Sequence, residues 1–321
     1  KPLPEEGTGS VVLVQDERRR RFIDLGAAIG AAFDGDVVLL EFDGEMAIPQ
    51  IPVHREITIA AGWNHGKNKP FEPVLIRNDF DIMNGSMFLF SIHGSVRMKG
   101  IEIHYASAFS EVQRQTLPRK QLLEWAIACQ PGGQLELVNC RIRMAPGNST
   151  MIAIQVERGS RGLTLQNSEI IGGTAVSIAS SQSVNIENSL LLGPNGLVVL
   201  PQMDAAGLIE IRNSVVICES LLHFNIGRFV RNVPATSRIK VNVGRNVIDA
   251  KRALVTISQL GTGQNLLTLE EIKEFPLASL LVYGGKFNRY DTPRLVAFQD
   301  RISDPENLTQ IAPLTVNDWL E

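Results

Sequence analysis

Leu163-Thr164-Leu165-Gln166-Asn167-Ser168-Glu169-Ile170 is the stretch on which the fold turns. It reads apolar-x-apolar-x-Asn-small-x-apolar. The same form stands at residues 135–142 (Leu-Glu-Leu-Val-Asn-Cys-Arg-Ile), 184–191 (Val-Asn-Ile-Glu-Asn-Ser-Leu-Leu) and 209–216 (Ile-Glu-Ile-Arg-Asn-Ser-Val-Val). The asparagines Asn139, Asn167, Asn188 and Asn213 follow one another at steps of 28, 21 and 25 residues. Residues 239–241 look like a further copy with an altered turn. Residues 96–103 look like an earlier one, with Gly100 in the asparagine slot.

Working outward, short apolar segments lie between the copies, at 152–156, 175–178, 197–200 and 221–224. Each repeat therefore holds about three short strands, and 21 to 28 residues leave no room for a helix beside them. A chain that must stack such units climbs by one strand spacing, about 4.8 Å, per turn. The fold expected is all-β, a right-handed single-stranded parallel β-helix. Asparagine suits the corner because it tolerates positive φ better than other residues with a side chain. Its amide is expected to join a ladder running from coil to coil. These four asparagines are thus read as structural.

The flanks divide the chain into an N-terminal strand and capping helix (1–34), the β-helix (35–260) and an irregular C-terminal cap (261–321). A solenoid end exposes apolar core and needs such caps. Phe22, Leu25, Ile29 and Ala32 follow helical spacing, which places the arginine run 18–21 on a solvated helix face or makes it a docking patch for an acidic partner. Thr268 and Glu271 read as a helix-capping pair.

The chain has 321 residues, 44% hydrophobic and 20% charged, enough to bury a large core. Aromatics are only 6%, so that core is aliphatic. A net charge of −3 argues against a nucleic-acid partner. Cys129, Cys140 and Cys218 form no C-x-x-C pair, and Cys140 sits in the slot held elsewhere by serine. His54, His65, His93 and His104 show no ligand spacing, so no metal or other cofactor is expected. No transmembrane segment is expected either.

The string Phe22-x-x-Leu25-x-x-Ala28-Ile29-x-Ala31-Ala32-x-x-Gly35-Asp36-x-Val38 resembles the opening of pectin-lyase-like β-helix proteins. With residues 57–62, 73–76 and the tail 283–290 and 318–319, it is most similar to β-helix regions attached to serine/threonine protein kinases of planctomycete bacteria. The resemblance implies a bacterial chain, cytoplasmic or on the outer side of a membrane protein, with a kinase domain elsewhere in a longer polypeptide. Kinase motifs are absent from the sequence itself.

In the pectin-degrading enzymes that this pattern resembles, the site lies on the first strand of each coil, the one before the asparagine-ended second strand. If alternate residues there point inward, Gln155, Glu157, Ser177, His223 and Asn225 point outward, with Arg228 just beyond. There is no aspartate between Asp81 and Asp204, so the paired carboxylates of a glycosidase or a Ca²⁺-dependent lyase are missing from this stretch. No nucleophile is expected at His223. The function expected is a non-catalytic ligand- or partner-binding module, with an extended glycan or peptide along the outward stripe. The alternative is a carbohydrate-active enzyme with an atypical site. The loops 61–71 and 105–121 are possible binding or covering elements.

Overall fold

A computed structural model describes residues 5–16, 18–77, 88–106, 124–145, 151–179, 183–199, 207–226, 239–259, 281–299 and 308–310. The chain is a parallel β-helix in which each coil contributes a first, a second and a third strand. The second strands Val37–Leu40, Ile57–Ala61, Ser95–Lys99, Gln134–Val138, Gly162–Gln166, Ser183–Glu187, Gly207–Arg212, Ile239–Gly244 and Leu281–Lys286 each pair in parallel with the next. Alternation decides what they bury. Leu135, Leu163, Val184, Ile209 and Val241 lie in one register row, Leu137, Leu165, Ile186, Ile211 and Val243 in another, and both rows are buried. Each fully buried aliphatic side chain contributes about 1.5–3 kcal/mol.

Third strands such as Arg141–Met144 and Glu169–Ile171, and first strands such as Met151–Val156 and Thr174–Ile178, are separate in the earlier coils. In three later coils they fuse into single long strands, Leu190–Val199, Val215–Ile226 and Val247–Gln259. The pairing of the last two slips between Cys218 and Ser220. Such an irregularity lets a strand turn a corner without a loop.

The corners after the second strands carry positive φ at Asn139 (53°), Asn167 (50°), Asn188 (48°) and Asn213 (51°). Gly100, Arg245 and Phe287 hold the same place in other coils, at 66°, 57° and 56°. The side-chain ladder, however, does not run through these asparagines, whose side chains are exposed. It runs through the next residue, which points inward. Cys140 N donates to Ser168 Oγ at 3.2 Å, Ser168 N to Ser189 Oγ at 3.2 Å, and Ser189 N to Ser214 Oγ at 3.1 Å. Ser214 N then donates to Asn246 Oδ1 at 2.8 Å, and Asn246 N to Asn288 Oδ1 at 3.0 Å. A residue in the left-handed region reverses the chain, so it faces solvent while its successor turns into the core.

The N-terminal end is closed by more than a helix. The helix is Leu25–Ala31, capped by Asp24, whose Oδ1 accepts from Ala27 N at 2.7 Å. Arg18–Phe22 is a β-strand, not part of that helix. It pairs antiparallel with Val11–Gln15, which pairs antiparallel with Val37–Leu40 and so covers the end of the second-strand face. Strand alternation turns Arg19 and Arg21 to one side, where both ion-pair with Glu41, Arg21 at 3.0 Å. Arg18 and Arg20 are exposed.

At the other end, coil pairing continues past residue 260, into the segment expected to be irregular. Leu281–Lys286, Arg289–Asp291 and Val296–Gln299 pair with the preceding coil, and Leu308–Gln310 lies antiparallel to the last of them. The inward turn residue Asn288, bonded to Asn246, extends the ladder there without the asparagine corner that the sequence pattern tracked. Thr268 and Glu271 lie outside the described residues.

Candidate functional site

On the first-strand face, register places Ala128, Gln155, Ser177, Val198, His223 and Thr256 in one row across successive coils. The row alternates with the inward core residues Ile154 and Val156, but it is not an open ruler of polar groups. Gln155 is 5% exposed and Ser177 3%. Gln155 Oε1 is occupied by Trp125 Nε1 at 3.0 Å. Glu157 follows the strand and is partly exposed, and burial pushes its carboxyl above the usual range. Asn225 is described through its backbone, paired with Ser258, and Arg228 lies outside the described residues. The stripe therefore does not present Gln155 and Ser177 to a ligand lying along the surface. Buried polar groups must find partners, and Gln155 finds one within the face in Trp125.

His223 lies in a chain of such partners. Its Nε2 is 2.7 Å from Ser258 Oγ, and its Nδ1 is 3.3 Å from Asn195 Oδ1. Asn195 Nδ2 donates to Thr174 Oγ1 at 3.3 Å, and Ser220 Oγ is 2.6 Å from Thr256 Oγ1. A hydroxyl thus adjoins His223, and it is a buried one, since Ser258 is 0% exposed. Ser258 is 35 residues away in sequence and Asn195 is 28, and only the stacking of coils joins them. Burial, helped by the charge of Arg252, pushes the imidazole down to about 4, so it is neutral at pH 7.

The third-strand face is different in kind. Glu102 takes His104 Nε2 at 2.7 Å, Arg143 Nε at 2.9 Å and Arg141 Nη1 at 3.6 Å. Arg141 Nε also holds Glu169 at 2.6 Å, and that bond draws the Glu169 carboxyl below its usual range. Beyond this charged group the outward rows become aliphatic. Ile171, Leu192 and Ile217 share one register row, and Leu190, Val215 and Val247 share the other. Leu192 and Val215 are each 38% exposed and Val247 46%. Asp249, paired with Lys251 at 2.6 Å, borders the patch on the far side.

Elsewhere, a shallow recess of about 330 Å³ on the second-strand face is lined by Gly35, Glu56, Arg97 and Glu136. The rings of His54 and His93 stack with centroids 4.5 Å apart. Burial pushes the thiols of Cys129 and Cys140 up to about 11 and that of Cys218 up to about 12, which leaves them protonated and unreactive at pH 7. Among the described residues, no group of three or more His, Cys, Asp or Glu could hold a metal ion. No helix among them is long and apolar enough to cross a membrane.

Comparison with known proteins finds no family model, no curated protein and no solved structure that matches this chain. A functional conclusion therefore rests on geometry.

Proposed function

We propose that this chain is a partner-binding β-helix module whose docking surface is the third-strand face. One observation carries the proposal: exposed Leu192, Val215 and Val247 form an aliphatic centre, flanked by the Glu102–Arg141–Arg143–Glu169 group on one side and Asp249–Lys251 on the other. An apolar centre within a polar rim is the anatomy of a protein interface. A polypeptide is a better occupant than a glycan, because aliphatic side chains offer a sugar neither hydrogen bonds nor an aromatic platform. The resemblance to kinase-linked β-helix regions supplies a setting, in which this chain is the scaffold or sensor part of a longer protein that carries a kinase domain. A glycoside hydrolase would need two free carboxyl groups about 5–9.5 Å apart. On the described first-strand face Glu124 is held by Arg77, which leaves Glu157 without a second free carboxylate.

The test is a screen of peptide and glycan libraries against the folded chain. A peptide binder is expected, losing at least about tenfold in affinity, or 1.4 kcal/mol, when Leu192→Asp is combined with Val215→Asp. A binder weakened only by Gln155→Ala with His223→Gln would return the site to the first-strand face and overturn the proposal.

A further inference from the structure

We propose that the third-strand face pairs with a second copy of this chain, turned end for end about a twofold axis that runs along the strands at Leu192. The inference rests on the docking face proposed above and names its occupant.

Register carries the argument. One outward row reads His104, Arg143, Ile171, Leu192, Ile217, Asp249 and Asp291 over successive coils. Its basic residues stand at one end, its acidic residues at the other, and its aliphatic residues between them. Reversed about Leu192, the row is its own complement. Arg143 comes opposite Asp249 of the second copy, His104 opposite Asp291, Ile171 opposite Ile217, and Leu192 opposite its own counterpart. A twofold interface requires this kind of match, in which one patch serves both subunits. The adjoining row reads Glu102, Arg141, Glu169, Leu190, Val215, Val247 and Arg289. It adds a third match of charge, Glu102 with Arg289. Arg141 and Glu169 come opposite Val247 and Val215, and they meet those valines as a neutral pair, already bonded to each other at 2.6 Å.

The charges that meet across the axis have bonding capacity left. Arg143 reaches Glu102 through Nε at 2.9 Å with its side chain 48% exposed, which leaves Nη1 and Nη2 for a second carboxylate. Asp249 holds Lys251 through Oδ2, which leaves Oδ1. Arg289 and Asp291 are exposed, and neither makes a direct ion pair among the described residues. A peptide of unrelated sequence has no reason to carry this order of charge in reverse, whereas a second copy carries it by symmetry. With coils about 4.8 Å apart and strands rising about 3.3 Å per residue, the two rows offer roughly 400 Å² per copy. That is about half of a standard interface, so the dimer is weak and forms in proportion to concentration.

Sedimentation equilibrium of the folded chain tests this. The expected result is a monomer–dimer equilibrium with a Kd on the order of 10–100 µM. Arg143→Glu and Asp249→Lys should each weaken it at least about tenfold, because each sets like charges opposite one another at two places. An equimolar mixture of these two variants should associate again. In the mixed dimer each substituted side chain faces its opposite charge, and the remaining Arg143 faces the remaining Asp249. Leu192→Asp should abolish association, and Glu187→Ala, on the second-strand face, should leave it unchanged. A chain that stays monomeric up to about 500 µM overturns the proposal. A mixture no stronger than the single variants overturns it too. If circular dichroism shows either charge variant to be unfolded, a dimer that survives Leu192→Asp overturns it instead. The peptide screen reads the face separately: a monomeric chain whose peptide binder is weakened by Leu192→Asp with Val215→Asp overturns the second copy and leaves the docking face standing.

Discussion

Ser189 N donates to Ser214 Oγ, one coil further on, at 3.1 Å, and Ser189 Oγ receives Ser168 N from the coil before at 3.2 Å. The hydroxyl also donates to Glu187 O at 2.7 Å. Each serine thus satisfies a buried amide of one coil while its own amide is satisfied by the next. The corner residue beside it, Asn188, contributes its conformation and leaves its side chain in solvent.

Ser189→Ala should therefore destabilise the chain by about 1–2 kcal/mol, since Ser168 N loses its side-chain acceptor in a buried place. Asn188→Gly should be nearly neutral, because glycine adopts the left-handed region freely, whereas Asn188→Val should cost about 1–3 kcal/mol in backbone strain. Urea denaturation of the three variants checks this. A larger loss in Asn188→Gly than in Ser189→Ala would mean that the asparagine amide carries the ladder after all.

The neutral state of His223 makes stability depend on pH. Its folded-state value is about 4, against 6.5 ordinarily. Above about pH 6.5 neither state is protonated and the stabilising contribution is complete. As pH falls from 6.5 toward 4, the unfolded chain takes up a proton that the folded chain refuses, and roughly 3 kcal/mol is lost. His223→Gln should flatten this part of the profile relative to the parent chain. Parallel slopes between pH 4 and 6.5 in denaturant titrations would show that the imidazole is not neutral in the fold.

Arg77 and Glu124 form a buried pair at 3.2 Å, with Glu124 0% exposed and Arg77 also bonded to the Tyr105 hydroxyl at 3.1 Å. Removing one charge strands the other, so Glu124→Gln should cost about 3–5 kcal/mol. The double change Arg77→Met with Glu124→Leu should cost less than either single change. Thermal melts of the double variant, Arg77→Met alone and Glu124→Gln would expose an error if the double variant were the least stable.

Core and surface positions of one strand should separate cleanly. Leu165 is fully buried, and Leu165→Ala should cost about 2–5 kcal/mol. Thr164, one residue earlier and facing out, should tolerate alanine within about 0.5 kcal/mol. Comparable losses at both would place the strand one residue out of register.

Much of the architecture was legible because the signals behind it are local. Leu163 and Leu165 alternate with polar neighbours, and Asn167 marks a corner that few other residues can form. The strand Arg18–Phe22 was not legible, because Phe22, Leu25, Ile29 and Ala32 fit helical spacing even though the helix begins only after Asp24. Its real partner, Val11–Gln15, supplies hydrogen bonds that spacing does not report. The last coil was missed for a related reason. Arg245 and Phe287 stand where asparagine stood, and the inward Asn246 and Asn288 keep the ladder going one position later.

The sequence by itself determined the period of the coil, the place of its corners and the inward rows of the second strands, since each follows from the conformational preference or polarity of residues close together in the chain. Only the tertiary structure decided which residues of different coils meet. Repeats of 28, 21 and 25 residues carry loops of unequal length, so no fixed spacing brings Asn195, His223 and Ser258 together. Nor does polarity say which side of an outward row is covered. Gln155 and Ser177 are polar and buried, while Leu192 and Val215 are apolar and exposed. Burial is set by everything packed around a strand, and a strand's own two-residue period records only which side chains share a face.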